Sequence, residues 1–232
     1  MQVEVLPDPA AAAERAAAFI AERAQEALRE RGRFLLALSG GHTPLAMYEA
    51  LARHALPWQQ VEMFQVDERV VPPTSAERNW NPIRRLLVAR AAAPAPHGHP
   101  MPVDGADLVE AAGAYAETLV QVAGAPPRLD LVHLGLGADG HTASLFPGDP
   151  ALEVDDAWVA LTGVHHGHRR MTLTLPAIDR ARCILWLVCG ADKARMLRRL
   201  TEGDETIPAG RVPRNHAWII ADRTARPADE QP

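Results

Sequence analysis

The chain has 232 residues, 47% of them hydrophobic and 23% charged, and carries a formal net charge of -5 with a pI near 6.1. This length can bury a full core and fits one large α/β domain over residues 1–222, with 223–232 expected as a frayed tail. The acidic balance argues against nucleic-acid and anionic-membrane partners, and no apolar run of about 18 residues or basic-then-apolar leader is present, so a cytoplasmic location is the default expectation.

Residues 9–31 are alanine-rich, with Phe19, Ile20, Ala24 and Leu28 at helical spacing and Gly32 as a stop, and are expected to form a helix covering a sheet. A buried strand follows over 34–38, then a helix over 44–53, a strand over 61–66 and a helix over 81–90. This β-α-β-α order implies a parallel sheet. Residues 88–102, with alanines, prolines and His97-Gly-His99, read as a loop with solvated histidines. The pattern continues with a helix over 105–124 and a strand over 129–136, then strands over 157–162, 171–175 and 183–189, a helix over 192–202 and a strand over 217–222. Cys183 and Cys189 fall on one face of a single strand, roughly 20 Å apart by strand rise, too far for a disulfide. Both are expected as small buried apolar residues.

Chemistry concentrates where the strands end. The run Leu134-Gly-Leu-Gly-Ala-Asp-Gly-His141 leaves an apolar strand through glycines and presents Asp139 and His141 together. An imidazole accepts a proton near neutrality, and a neighbouring carboxylate can fix its tautomer. Ser39-Gly40-Gly41-His42-Thr43-Pro44 joins a strand to a helix, and its bare amides with the Ser39 and Thr43 hydroxyls suit a phosphate dianion. It is neither a Walker loop nor a dinucleotide fingerprint. Asp67-Glu68-Arg69 abruptly ends the next apolar strand; Arg69 can grip phosphate bidentately, while Asp67 can accept sugar hydroxyls or orient a base. Asn79 or Asn81 downstream either caps a helix or reaches this site. Lys193 is the only lysine among 24 basic residues. It stands near a helix start, where a cation opposes the helix dipole and a bound anion would justify it. Arg169-Arg170 offers further positive charge. Three histidines in the loop His165-His166-Gly167-His168 suggest exposure rather than a metal site, since no second ligand set accompanies them.

Ser39-Gly-Gly-x-Thr-Pro44, Asp67-Glu-Arg69, Asp139-Gly-His-Thr-Ala-Ser-Leu-Phe-Pro147, Arg170-Met-Thr-Leu-Thr-Leu-Pro-Ala177, Gly190-x-x-Lys193 and Ile207-Pro-Ala209 together resemble the 6-phosphogluconolactonases. The resemblance covers roughly residues 10–222, and its most specific part is the segment from Asp139 to Pro147. It implies a three-layer α/β/α fold with a mostly parallel, Rossmann-like sheet of the sugar-phosphate isomerase type. It also implies hydrolysis of 6-phospho-D-glucono-1,5-lactone, in the oxidative pentose phosphate pathway, without metal or organic cofactor. A small-molecule partner and a monomer or small homo-oligomer follow as expectations. Two positions depart from the pattern: Arg78 precedes Asn79 where Ser-Asn is common, and His42 stands where Ser is common.

On this reading His141 activates the attacking water, and Asp139 or Asp67 holds the imidazole. Arg69, Lys193 and Arg170, with the Ser39-Gly40-Gly41 turn and Thr43, fix the phosphate. The chain is also similar to the glucosamine-6-phosphate deaminases at the two glycine turns, but Phe146 occupies the place of their glutamate and Asp67-Glu-Arg69 that of their Asp-Glu-Tyr. A non-catalytic sugar-phosphate sensor would carry a helical DNA-binding module, for which the single N-terminal helix gives no sign.

Overall fold

Short strands with no polar face must be covered on both sides, and the chain meets this demand by packing helices above and below one sheet. The computed structural model describes residues 1–226. In chain order the elements are β1 (Gln2–Leu6), α1 (Pro9–Arg31), β2 (Phe34–Leu38), α2 (Leu45–Ala52), β3 (Val61–Gln65), β4 (Asp67–Arg69), α3 (Trp80–Ile83), β5 (His97–His99) and α4 (Leu108–Ala123). They continue with β6 (Leu131–Leu134), β7 (Val159–Leu161), β8 (Arg170–Leu173), α5 (Leu175–Asp179), β9 (Ile184–Val188), α6 (Ala194–Glu202) and β10 (Ala217–Asp222). Seven strands pair in the order β1-β10-β9-β6-β2-β3-β5, and every pairing in this sheet is parallel. The fold is the three-layer α/β/α sandwich expected.

Period-2 alternation divides the core. Phe34, Leu36 and Leu38 of β2 face a cluster built with α1, α2 and Ile83, whereas Leu35 and Ala37 face the opposite cluster with α4, α5 and α6. Alanine suits α1 because close approach to the sheet leaves room for little more, and Ala12, Ala16, Ala17, Ala24 and Ala27 are fully buried. The helix is closed at both ends: the Asp8 carboxylate accepts from the Ala11 amide at 2.8 Å, and Gly32, at φ 71°, donates its amide to the Leu28 carbonyl. These are the side-chain and left-handed caps that helix termini require.

A second, antiparallel sheet β4-β8-β7 lies beside the first. Its β4 follows β3 after one residue, so Asp67-Glu68-Arg69 is not the end of an apolar strand but a strand that has changed sheets.

Several expectations need correction. Gln2–Leu6 is an edge strand, largely exposed, paired to residues more than two hundred positions away, which no local pattern announces. His97–His99 is a strand rather than a loop, with His99 Nε2 2.6 Å from Glu62 Oε2 and its ring stacked on Phe64. The helix expected over 81–90 is α3 followed by a π turn over Arg84–Val88. The strand expected over 171–175 stops at Leu173, because Leu175 and Pro176 open the short α5. The tail is ordered at its start: the Asp222 carboxylate accepts from the Ala225 amide at 3.0 Å, and Ala225 is fully buried. Residues 227–232 lie outside the described residues. The cysteines flank β9, both as free thiols, and only Cys183 is buried; Cys189 is half-buried.

Candidate active site

All strands of the main sheet point the same way, so their carboxyl ends share one edge. β2 passes to β3 on one side, while β6, its other neighbour, passes to β9 on the opposite side. A crevice must open where these connections diverge, and ligands of open α/β sheets bind there. A cavity of about 410 Å³ occupies this place. It is lined by Ser39-Gly40-Gly41 and Thr43 after β2, by Gly135 to Asp139 and His141 after β6, by Asp67 and Arg69 of β4, and by Cys189 and Lys193 after β9. With Asn79 and His166, which also line it, six separate segments of the sequence converge on one volume.

His141 and Asp139 form the most tightly defined pair in it. His141 Nδ1 lies 2.5 Å from Asp139 Oδ1, and the His141 amide donates to the same oxygen at 3.1 Å. A carboxylate at that distance holds the proton on Nδ1, which leaves the Nε2 lone pair as the basic site. Burial pushes the imidazole pKa below its ordinary value, against the opposing charge of Asp139. Burial alone would raise the Asp139 carboxyl, but the hydrogen bonds and charge of His141 together hold it below the usual range. The turn tolerates this pair only without a side chain at Gly137, where a Cβ would sit 2.1 Å from His141 Nδ1. Beneath the imidazole lies the buried ring of Phe146, 4.4 Å centroid to centroid. No helix follows the pair; Thr142 and Leu145 close a tight bridge instead.

Asp67 plays a different part. Its carboxylate accepts from Ser144 Oγ at 2.6 Å and lies 4.0 Å from the Arg170 guanidinium, so the partner of His141 is Asp139. Asn79 lines the cavity and donates Nδ2 to the Asp67 carbonyl at 3.1 Å, while its Oδ1 accepts from Arg69 at 3.3 Å. Asn81 instead holds the loop by donating to the Pro73 and Ser75 carbonyls. Gly40 packs so closely on Asn79 that a Cβ would meet Oδ1 at 2.0 Å.

Among the described residues neither the Gly40 nor the Gly41 amide finds an acceptor, which leaves both donors for a ligand. The Ser39 hydroxyl differs: it donates to the His133 carbonyl at 2.8 Å, so its proton is committed to the scaffold. Thr43 is exposed at the rim. Lys193 reaches the cavity but already pairs with Asp192 at 3.0 Å. Arg170 does not line the cavity. It is buried behind it, with its guanidinium 5.1 Å from the Phe146 ring and Nε without a partner among the described residues.

Sequence reasoning missed the parts played by Glu68, His165, His166 and His168. Glu68, fully buried, accepts from Gln65 Nε2 and from the amides of Arg69, Asn79 and Trp80 at 2.8–2.9 Å and pairs with Arg78 at 3.4 Å. Strand alternation carries the signal: Asp67 and Arg69 share one face, so Glu68 must turn inward. His165 stacks on Phe146 at 4.1 Å with Nε2 2.6 Å from Asp149, and His168 pairs with Glu77 at 2.9 Å. Those anchors place His166, in a left-handed conformation at φ 50°, on the cavity wall. The histidine loop is thus only partly exposed. Among the described residues no cluster of three or more metal-ligating side chains occurs, and no helix is long and apolar enough to cross a membrane.

The site also lacks an activated protein nucleophile. Burial raises the Cys189 thiol to about 11, and the hydroxyls of Ser39 and Ser144 bond to a carbonyl, a carboxylate and the Arg170 guanidinium rather than to an imidazole nitrogen. What remains is an imidazole beside a carboxylate, an arrangement chemically able to activate water, next to two backbone amides free to bind an anion.

The chain is similar to known proteins over nearly its whole length. Residues 7–221 match the family described as glucosamine-6-phosphate isomerases/6-phosphogluconolactonase. A 6-phosphogluconolactonase of Synechocystis sp. is 44% identical over 200 residues, covering 84% of this chain and 83% of the relative. One from Mycobacterium tuberculosis is 36% identical, covering 96% of each chain. The crystal structure of 6-phosphogluconolactonase from Thermotoga maritima superposes with a TM-score of 0.84 at 28% identity, covering 95% of this chain and 98% of that one. A monomeric glucosamine-6-phosphate deaminase shares the fold, with a TM-score of 0.80 at 19% identity. The chain belongs to the family of glucosamine-6-phosphate isomerases and 6-phosphogluconolactonases.

Proposed function

We propose that the protein hydrolyses 6-phospho-D-glucono-1,5-lactone to 6-phosphogluconate, and that His141 is its general base. The observation that carries this reading is the His141–Asp139 pair lining a crevice of about 410 Å³ at the strand ends, in a chain whose similar relatives are named as 6-phosphogluconolactonases. A lactone is an activated ester, so a positioned base and a held substrate suffice.

His141 Nε2 removes a proton from water as its oxygen attacks C1. When the tetrahedral intermediate collapses, the C1–ring oxygen bond breaks and the same nitrogen returns the proton to the departing ring oxygen. Asp139 keeps the proton on Nδ1 throughout and stabilises the transient imidazolium. The free Gly40 and Gly41 amides, Arg69 and Lys193 bind the phosphate, with Thr43 at the rim. That remote contact positions C1 for attack. Asp67 and Ser39 set the wall of the site, and Arg170 supports Phe146 and Ser144 from behind rather than touching substrate.

Deamination of an amino-sugar phosphate is the second reading, since the fold is shared. The buried Phe146 ring argues against it, because it fills with carbon the place where those enzymes carry a glutamate. Acid release from freshly prepared lactone, corrected for spontaneous opening, tests the proposal. His141→Ala should lower kcat about 10²–10⁴-fold, and full activity in that variant would overturn the assignment.

A further inference from the structure

A second cavity of about 660 Å³ opens beside the first and shares Gly41, Arg69 and Asn79 with it. Arg84, Arg85, His42 and Thr74 line this cavity and not the first. Among the described residues no aspartate or glutamate lines it. In a chain of net charge -5, such a groove is a local reversal of sign.

The arginines differ in how far they are already neutralised. Arg78 is buried and spent on Glu68 and Asp104. Arg69 donates to the Glu77 carbonyl and to Asn79 Oδ1, neither of which carries charge. Arg84 and Arg85 are exposed and pair with no carboxylate among the described residues. They begin the π turn, in which the Ala89 amide reaches back to the Arg84 carbonyl at 2.9 Å. Such turns recur at functional sites. Here the turn brings two consecutive guanidinia to one groove.

We propose that this groove is an anion subsite for a small polyphosphate, held by Arg84 and Arg85 at one end and by Arg69 at the other. Guanidinium forks match phosphate oxygens bidentately, and three of them around one volume select an extended, multiply charged phosphate over a monophosphate. Because Arg69 and Gly41 serve both cavities, an occupant of the groove competes with the phosphate of the lactone. The subsite itself stands without the lactonase reading; only its kinetic consequence rests on that reading.

Pyrophosphate is the probe. Calorimetric titration of the full chain should show one site whose affinity falls as salt is raised. The Arg84→Ala/Arg85→Ala variant should bind about tenfold or more weakly, the scale expected when charge-assisted hydrogen bonds are removed, at an unchanged melting temperature. Pyrophosphate should raise the KM of the wild type for lactone, and this effect should shrink in the variant, whose own kcat/KM stays as in the wild type. Equal binding by wild type and variant would place the anion in the first cavity and overturn the proposal, and so would absence of binding by the wild type. Absence of lactone hydrolysis with binding intact would instead sink the lactonase reading and leave the subsite standing.

Discussion

In the proposed mechanism a single imidazole and its carboxylate carry the chemistry, and their environment sets the pH response. Burial holds His141 below its ordinary pKa, so kcat/KM should rise through an acid limb centred below about pH 6.5 and then stay level. Asp139 favours the charged imidazolium, so Asp139→Asn should shift that limb to still lower pH while lowering the rate. A limb that moves upward in the variant would contradict the pairing. Gly137→Ala tests the same geometry by steric means. The added Cβ would collide with Nδ1 and with Asp139 Oδ1, so kcat should drop about tenfold or more through misplacement of the base, with the melting temperature nearly kept.

His133 is a second imidazole with a different consequence. It is fully buried in β6, accepts the Ser39 amide at 3.4 Å, and burial pushes its pKa down to about 3. The unfolded imidazole titrates near 6.5, so between these values the unfolded chain binds the extra proton. Stability is therefore intact above about pH 6.5 and falls by about 1.4 kcal/mol per pH unit as the pH drops toward 3. Urea titrations at several pH values should show a shallower acid loss for His133→Asn, and parallel losses would refute the assignment.

Among the elements, β4 matters most, because three residues of it serve two layers. Asp67 and Arg69 face the cavity while Glu68 gathers the amides that place Asn79. Removing Arg78 leaves Glu68 buried without its cation, a change that costs about 3–5 kcal/mol in comparable pairs. Arg78→Ala should therefore destabilise the fold on this scale and raise KM for lactone, as read by denaturant unfolding and steady-state kinetics. Arg78 itself departs from the common family pattern, and its bonds to Asp104 and to the Val71 and Met101 carbonyls show it as a staple of the loop.

The legible parts of this protein were those whose cause is local. Apolar pentads such as Phe34–Leu38 and Ile184–Val188 read directly as strands, and the Asp139–His141 turn and the Ser39–Thr43 turn read as strand-end sites because their residue types have few other reasons to follow an apolar run. Hidden parts depend on distant partners. β1 exists because β10 offers an edge, β5 because Glu62 and Phe64 receive His99, and His166 reaches the cavity only because Asp149 and Glu77 hold its neighbours. Phe146 stood out in the sequence only as the replacement for the deaminases' glutamate, yet it packs against His141 and stacks on His165.

At the scale of the whole molecule, one sheet separates two apolar clusters, and alternate residues of the strands β2, β9 and β10 belong to each. Neither layer can keep its core once the sheet is lost, so we expect a single cooperative unfolding transition. Trp58 is buried in one cluster and Trp186 in the other, which makes variants retaining one or the other suitable reporters. Their fluorescence midpoints in denaturant should coincide, and separated midpoints would show that the layers unfold independently.

The most direct test of the central claim is acid release from freshly generated 6-phosphogluconolactone, against a buffer blank, with wild type and His141→Ala side by side. The account predicts that wild type accelerates ring opening well above the blank and that the variant loses about 10²–10⁴-fold in kcat. Turnover of the variant equal to wild type would remove His141 from the mechanism, and a wild type no faster than buffer would contradict lactone hydrolysis itself.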